Sequence, residues 1–184
     1  GIAYGCQMSK LYYGASSTNA AAFGYRNDLN QVKSNSWGPS DNGLISYLPT
    51  AERTALTTAI TSGRGGLGEI FVWAAGNGAT AHADRVDYDP YASSRYTIAI
   101  GAIDSLDRRS VYSEPGSSLM AVAQSDYDLN TTADVRITTT IPVNGYTTSF
   151  GGTSAACPLA AGVVALMLQA KPTLTWRDVQ HIVV

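Results

Sequence analysis

The chain has 184 residues, 45% of them hydrophobic and 14% charged, with 12 basic against 14 acidic side chains and a formal net charge of -2. That balance suits one globular domain with a sizeable core, and it excludes a basic nucleic-acid-binding face and a long acidic tail. The longest strongly apolar stretch, residues 159–170, is too short to span a bilayer, and no charged start followed by an apolar run marks a signal peptide.

The opening Gly1-Ile2-Ala3-Tyr4-Gly5 reads as the interior of a domain, so an N-terminal portion is expected ahead of it. Residues 10–13 suit a short strand, and residues 18–29 have helical character with Thr18 or Asn19 as the cap. Residues 32–36 read as a strand running into the turn Trp37-Gly38-Pro39. Residues 49–61 read as a helix, with Pro at the start and Ala, Leu and Ile at helical spacing. Residues 70–75 form a buried strand that ends in Gly76-Asn77-Gly78. Further strands are expected at 96–102, 119–123 and 135–140, with a polar surface loop over 124–134. A strongly apolar helix over 153–170 and a short one over 175–183 close the chain. Strands alternating with helices indicate an α/β protein with a mainly parallel sheet. The two cysteines, Cys6 and Cys157, allow one bridge, but small buried thiols are the plainer reading. Asn130-Thr131-Thr132 fits an N-glycosylation triplet, a pattern common by chance.

Gly63-Arg64-Gly65-Gly66-Leu67-Gly68 fits the G-x-G-x-x-G pattern. A dinucleotide site needs a strand before that pattern and a helix after it. Here the order is reversed, so a helix-to-strand turn is expected.

Three loops carry residues suited to chemistry, each at the C-terminal end of a strand or the N-terminus of a helix, where open α/β sheets present their sites. In Gly151-Gly152-Thr153-Ser154-Ala155 a helix begins beside Ser154. The first N–H groups of a helix lack partners and its dipole is positive there, which places donors beside a developing oxyanion. A helix-capping serine explains the same segment equally well. Pro158 removes the N–H that would bond the Ser154 carbonyl, so a distorted first turn is expected. Asn77 serves either as a turn residue or as an amide donor to an oxyanion. Ser34-Asn35-Ser36-Trp37-Gly38-Pro39, with Asp41 following, is by itself an ordinary turn.

Taken together, these segments resemble the subtilisin family of serine proteases. Ser36-Trp37-Gly38-Pro39, the glycine-rich turn followed by Ile70-Phe71-Val72-Trp73-Ala74, Tyr112-Ser113-Glu114, and Leu174-Thr175-Trp176-Arg177-Asp178-Val179-Gln180-His181 narrow the resemblance to the kexin/furin branch, the proprotein convertases. The resemblance implies a three-layer subtilisin-like fold, incomplete in this chain, with residues 1–184 as the C-terminal part of a peptidase domain. It implies Ser154 as nucleophile and Asn77 as oxyanion stabiliser. The backbone of Ser36, Trp37 and Gly38 would pair with a peptide or protein substrate as an added strand. Asp89 would sit at the bottom of the S1 pocket and pair with a substrate Arg or Lys; an aspartate placed before Pro90 for a turn is the alternative. Asp41, Asp84 and Glu114 match a structural calcium site, against the alternative of solvated surface charge. A secreted or extracytoplasmic location is implied as well.

The chain also departs from the family. The stretch 13–21 has no carboxylate where the family reads a second basic residue, so cleavage after a single basic residue is expected. The family's cysteines around Val86 and Gly116 are absent. A serine nucleophile needs a general base and a group that orients it. The family's Asp-Gly and His-Gly-Thr motifs do not occur, and His82 and His181 suit a loop and a helix surface. The base is therefore expected from the missing N-terminal part of the catalytic domain. The alternatives are a non-catalytic peptide-binding module and an inactive fragment.

Overall fold

The computed structural model describes residues 2–14, 16–130 and 135–184. Its elements, in chain order, are α1 (Ser16–Gly24), β1 (Val32–Asn35), α2 (Thr50–Ser62), β2 (Ile70–Ala74), α3 (Ala79–His82), β3 (Thr97–Ile103), β4 (Leu119–Gln124), β5 (Ile137–Ile141), β6 (Gly145–Phe150), α4 (Thr153–Ala170) and α5 (Trp176–Val183). Strands β1 to β4 form one parallel sheet in that order.

Every residue of β2 is buried, as a strand covered on both faces requires. Successive side chains point to opposite faces, so this one strand feeds two cores. Ile70, Val72 and Ala74 pack with Ala156, Cys157, Ala161, Val164 and Leu168 of α4 and Val179 of α5. Phe71 and Trp73 pack on the other side with Phe23 of α1 and Leu56, Ala59 and Ile60 of α2. Each fully buried side chain of this size contributes about 1.5–3 kcal/mol relative to exposure. The result is the three-layer α/β arrangement expected from the sequence.

Several expectations need correction. The apolar helix spans Thr153–Ala170 as expected, but its full 18 residues, and not the stretch 159–170 alone, are long and apolar enough to cross a membrane by length and composition. Its apolarity serves packing on the sheet, since the buried Ala156, Cys157, Ala161, Val164 and Leu168 belong to the first core. Residues 10–13 are not a strand; Tyr13 instead stacks on Trp37 at 4.9 Å. The helix expected at 18–29 ends at Gly24. Strand β6 was not expected, because Gly145–Phe150 is polar and largely exposed; it pairs antiparallel with β5 across a turn in which Val143 and Asn144 both take positive φ. Cys157 is buried, but Cys6 is exposed, and the two are not bridged. Thr131 and Thr132 of the glycosylation triplet, and residues 131–134 of the expected surface loop, lie outside the described residues.

The glycine-rich turn does join a helix to a strand. It forms a tight turn, Gly63–Gly66, between α2 and β2, in which Arg64, Gly65 and Gly66 take positive φ. Arg64 donates from there to the carbonyls of Gly68, Leu174 and Pro172, tying the turn to the segment before α5.

Candidate active site

The candidate residues gather at the C-terminal ends of β1 and β2 and the N-terminus of α4. Gly152, at φ 78°, is the N-cap of α4, and Ser154 is the second helical residue. Ser154 is therefore not the capping residue. Its hydroxyl has no hydrogen-bond partner among the described residues, and it is half-buried. Helix α4 runs unbroken through Pro158, so the expected distortion does not interrupt it. The carbonyl of Ser154, which Pro158 cannot serve, accepts instead from the Ser36 hydroxyl at 3.1 Å. One bond thus replaces the missing helical link and fixes the end of β1 to the turn that carries Ser154.

Asn77 is held by the residue before Ser154. Its side-chain oxygen accepts from the Thr153 backbone N–H at 2.8 Å and from the Thr153 hydroxyl at 3.0 Å. A backbone N–H can only donate, so the bonded atom is Oδ1 and Nδ2 is turned away from Thr153. That Nδ2 has no partner among the described residues, while the Asn77 backbone N–H donates to Asp41 at 2.9 Å.

Past β1, Ser36 and Gly38 are exposed and Trp37 is half-buried. The Trp37 carbonyl accepts from the Trp73 indole at 2.6 Å, and its ring packs against Trp73 and Tyr91, each at 4.9 Å. Ser36 and Gly38, on either side of this anchor, stay exposed. A Cβ at Gly38 would stand 2.6 Å from the Asp89 carboxylate, so the two residues meet face to face. Asp89 Oδ1 accepts from the N–H groups of Tyr91 and Ala92 at 2.6 and 3.0 Å. Burial pushes the Asp89 carboxyl up to about 6; those N–H bonds oppose the shift, and the charges of Asp41 and Asp84 add to it.

Asp41, Asp84 and Glu114 present carboxylate oxygens that all lie within 4.8 Å of one another. They line a small cleft with Pro39, Tyr88 and Asp89. Gly78 N–H donates to Glu114 and Gly43 N–H to Asp84, each at 2.9 Å. Among the described residues, no Lys or Arg pairs with any of the three. Burial first, and then repulsion from Asp84 and Asp41, pushes the Glu114 carboxyl up to about 8. Three carboxylates converging without a basic partner suit a hard divalent cation with oxygen ligands. The structure thus brings together every site residue expected from the sequence.

Neither histidine joins them by a hydrogen bond to Ser154. His82, on α3, and His181, on α5, are both exposed.

Two features of this region were not expected. Asp126, fully buried just beyond β4, accepts from Gly152 N–H at 3.0 Å, directly beneath the Ser154 turn. A lone acid in a polar stretch carries no sequence signal for such a role. In addition, Asp87 accepts five bonds, one from Arg85 at 3.1 Å and four from the backbone N–H and hydroxyl of Ser117 and Ser118, at 2.8 to 3.2 Å. This polar staple joins the loops where the resembling family has cysteines.

The model of the subtilase family matches residues 3–184. Among curated proteins, the chain is 43% identical over 195 residues to mouse (Mus musculus) proprotein convertase subtilisin/kexin type 7, covering 100% of the chain and 24% of that relative. It is 42% identical over 188 residues to kexin of Saccharomyces cerevisiae, covering 99% of the chain and 22% of the relative. The chain therefore spans about a quarter of the length of these relatives. Among solved structures, a cold adapted subtilisin-like serine proteinase superposes with a TM-score of 0.69 at 26% identity, covering 92% of the chain and 54% of its counterpart. A serine protease of Aeromonas sobria gives 0.74 at 20% identity, with coverage of 91% and 35%, and shares the fold.

Proposed function

The chain belongs to the subtilase family, and we propose that it supplies the nucleophile, the oxyanion-stabilising groups and part of the primary specificity pocket of a serine endopeptidase that cleaves after a basic residue. The observation that carries this reading is the joining of three distant loops at one turn: Ser36 bonds the Ser154 carbonyl, and Thr153 holds Asn77.

Ser154 Oγ attacks the scissile carbonyl and gives up its proton to the base; the tetrahedral oxyanion collapses, the C–N bond breaks, the amine leaves with that proton, and water hydrolyses the acyl-enzyme. The Ser154 N–H, at the positive end of α4, and Asn77 Nδ2 stabilise the oxyanion. Deleting one such donor costs roughly 10²–10³ in kcat, a figure known from a subtilisin asparagine. The backbone of Ser36, Trp37 and Gly38 pairs with the substrate main chain. Asp89, across from Gly38, pairs with the basic side chain. The stretch 13–21 has no carboxylate, which supports a demand for one basic residue rather than two. Asp41, Asp84 and Glu114 would hold calcium, which would supply positive charge to offset the three converging carboxylates. The base that accepts the Ser154 proton, and the acid that orients it, come from residues outside 1–184. Like the resembling proteases, the protein works in a secreted or extracytoplasmic setting.

The test is covalent labelling of the full-length protein with a phosphonyl fluoride reagent, followed by peptide mapping. The reagent is expected on Ser154, absent from Ser154→Ala, with hydrolysis of an arginyl peptide lost in parallel. The isolated 184-residue chain is expected to show essentially no turnover. Peptide binding by a full-length protein that is neither labelled nor active would instead establish a non-catalytic peptide-binding module.

A further inference from the structure

Asp126 is a charged side chain with no exposed surface, and the chemistry above does not use it. Its Oδ1 accepts from the Tyr112 hydroxyl at 2.6 Å and from Gly152 N–H at 3.0 Å. Its Oδ2 faces Arg136 Nε at 3.4 Å. Burying a carboxylate is costly unless it is paired and hydrogen-bonded. Here the compensating groups come from Tyr112 and Arg136 and, on the turn before Ser154, from the Gly152 N–H.

The grip on that turn is two-sided. Asp126 takes the N–H of Gly152, and Ser125 donates to the Gly152 carbonyl at 2.8 Å. A Cβ at Gly151 would fall on the Asp126 carboxylate, so the turn lies directly against it. Gly152 is the N-cap of α4, and the next residue, Thr153, holds the Asn77 amide. Arg136 extends the network by donating to the carbonyls of Leu129, at 2.8 Å, and Ser149, at 3.5 Å, near the base of the β5-β6 hairpin.

We propose that Asp126 is a positioning residue for the hydrolysis: by fixing Gly152 it sets, through Thr153, the Asn77 amide and the first N–H groups of α4 against the oxyanion. The inference rests on the endopeptidase reading. Asp126 touches neither substrate nor nucleophile, and its effect is confined to how well the donors are aimed. A donor displaced by a fraction of an ångström loses stabilisation of the transition state while leaving substrate binding in place. The conservative replacement Asp126→Asn keeps one acceptor but sets an NH₂ group against either Arg136 or the Gly152 and Tyr112 donors.

The experiment compares the full-length wild type with Asp126→Asn on a peptide substrate, with active sites counted by phosphonyl fluoride titration. The inhibition constant of a peptide aldehyde, whose adduct carries the tetrahedral oxyanion, is measured alongside. Asp126→Asn is expected to lower kcat per titrated site by roughly 10- to 100-fold, less than outright loss of an oxyanion donor. KM should stay within about two-fold, and the aldehyde should weaken by the same factor as kcat. A purely structural residue would lower the count of titratable sites and the melting temperature but leave these ratios alone, and that result overturns the proposal. Should Asp126→Asn fail to fold, Ser125→Ala removes the other half of the grip. It is expected to lower kcat several-fold at constant KM, and unchanged kcat would overturn the proposal equally. A wild type that is not labelled defeats the endopeptidase reading and this inference with it. A labelled wild type whose variants match it defeats the inference alone.

Discussion

At the contact between Gly38 and Asp89, a single methyl group would close the pocket. A Cβ at Gly38 would stand 2.6 Å from the carboxylate that we assign to the basic side chain of the substrate. Asp89→Asn preserves the acceptor for the Tyr91 and Ala92 N–H groups and removes the charge. We expect kcat/KM for an arginyl peptide to fall by about 2–4 kcal/mol, roughly 30- to 1,000-fold, with little change for a neutral side chain at the same position. An unchanged ratio between the two substrates would assign Asp89 to the turn alone. The candidate roles of Ser154, Asn77 and Asp89 came from the resemblance to a family, because in its local setting each residue reads equally as a cap or a turn. Asp126 was not legible in the sequence, because its importance depends on which backbone N–H the fold places above it.

Elements were legible where their periodicity was strong. Helices α2 and α4 and strands β2 and β3 emerged close to their observed bounds, since each has a face or a core that only apolar residues fill. Strand β6 did not, because Gly145–Phe150 buries little and is fixed by its turn and its partner β5. Residues 10–13 have strand-like composition but pair with no described strand, and propensity alone does not make a ladder. The link between the loop before β3 and the loop before β4 is likewise invisible in sequence. Burial would raise the Asp87 carboxyl, but the bonds from Ser118 and Ser117 outweigh it and hold it down at about 2. A carboxyl depressed in the folded state contributes stability above its unfolded pKa of about 3.9, and loses it as pH falls through the folded value. With Asp87 a quarter exposed, we expect Asp87→Asn to cost about 1–2 kcal/mol at pH 7, after discounting for solvent screening. The gap from wild type in urea unfolding should close between about pH 4 and 2. A gap that persists unchanged at pH 2 would show that the charge is not what the staple uses.

At the scale of the whole molecule, the acidic cleft is a concentration of like charge that the fold imposes. Asp41 comes from the loop after β1, Asp84 from the loop after α3 and Glu114 from the loop after β3. Calcium added to the metal-stripped full-length protein is expected to give a saturable heat in titration calorimetry. It should also raise the melting temperature with concentration, as ligand linkage to the folded state requires. Asp41→Asn and Glu114→Gln should each weaken both effects. No heat at millimolar calcium would refute the cation site. By itself, the sequence determined the alternation of strands and helices, the two apolar faces of β2 and the chemical types of the site residues, because all of these are written in local order. Only the tertiary structure decided that Ser36, Asn77 and Ser154 share one turn, that Ser36 replaces the helical bond removed by Pro158, and that Asp126 lies beneath Gly152. The physical reason is that parallel strands pair only through long crossovers, so the groups meeting at their C-terminal ends come from segments far apart in sequence.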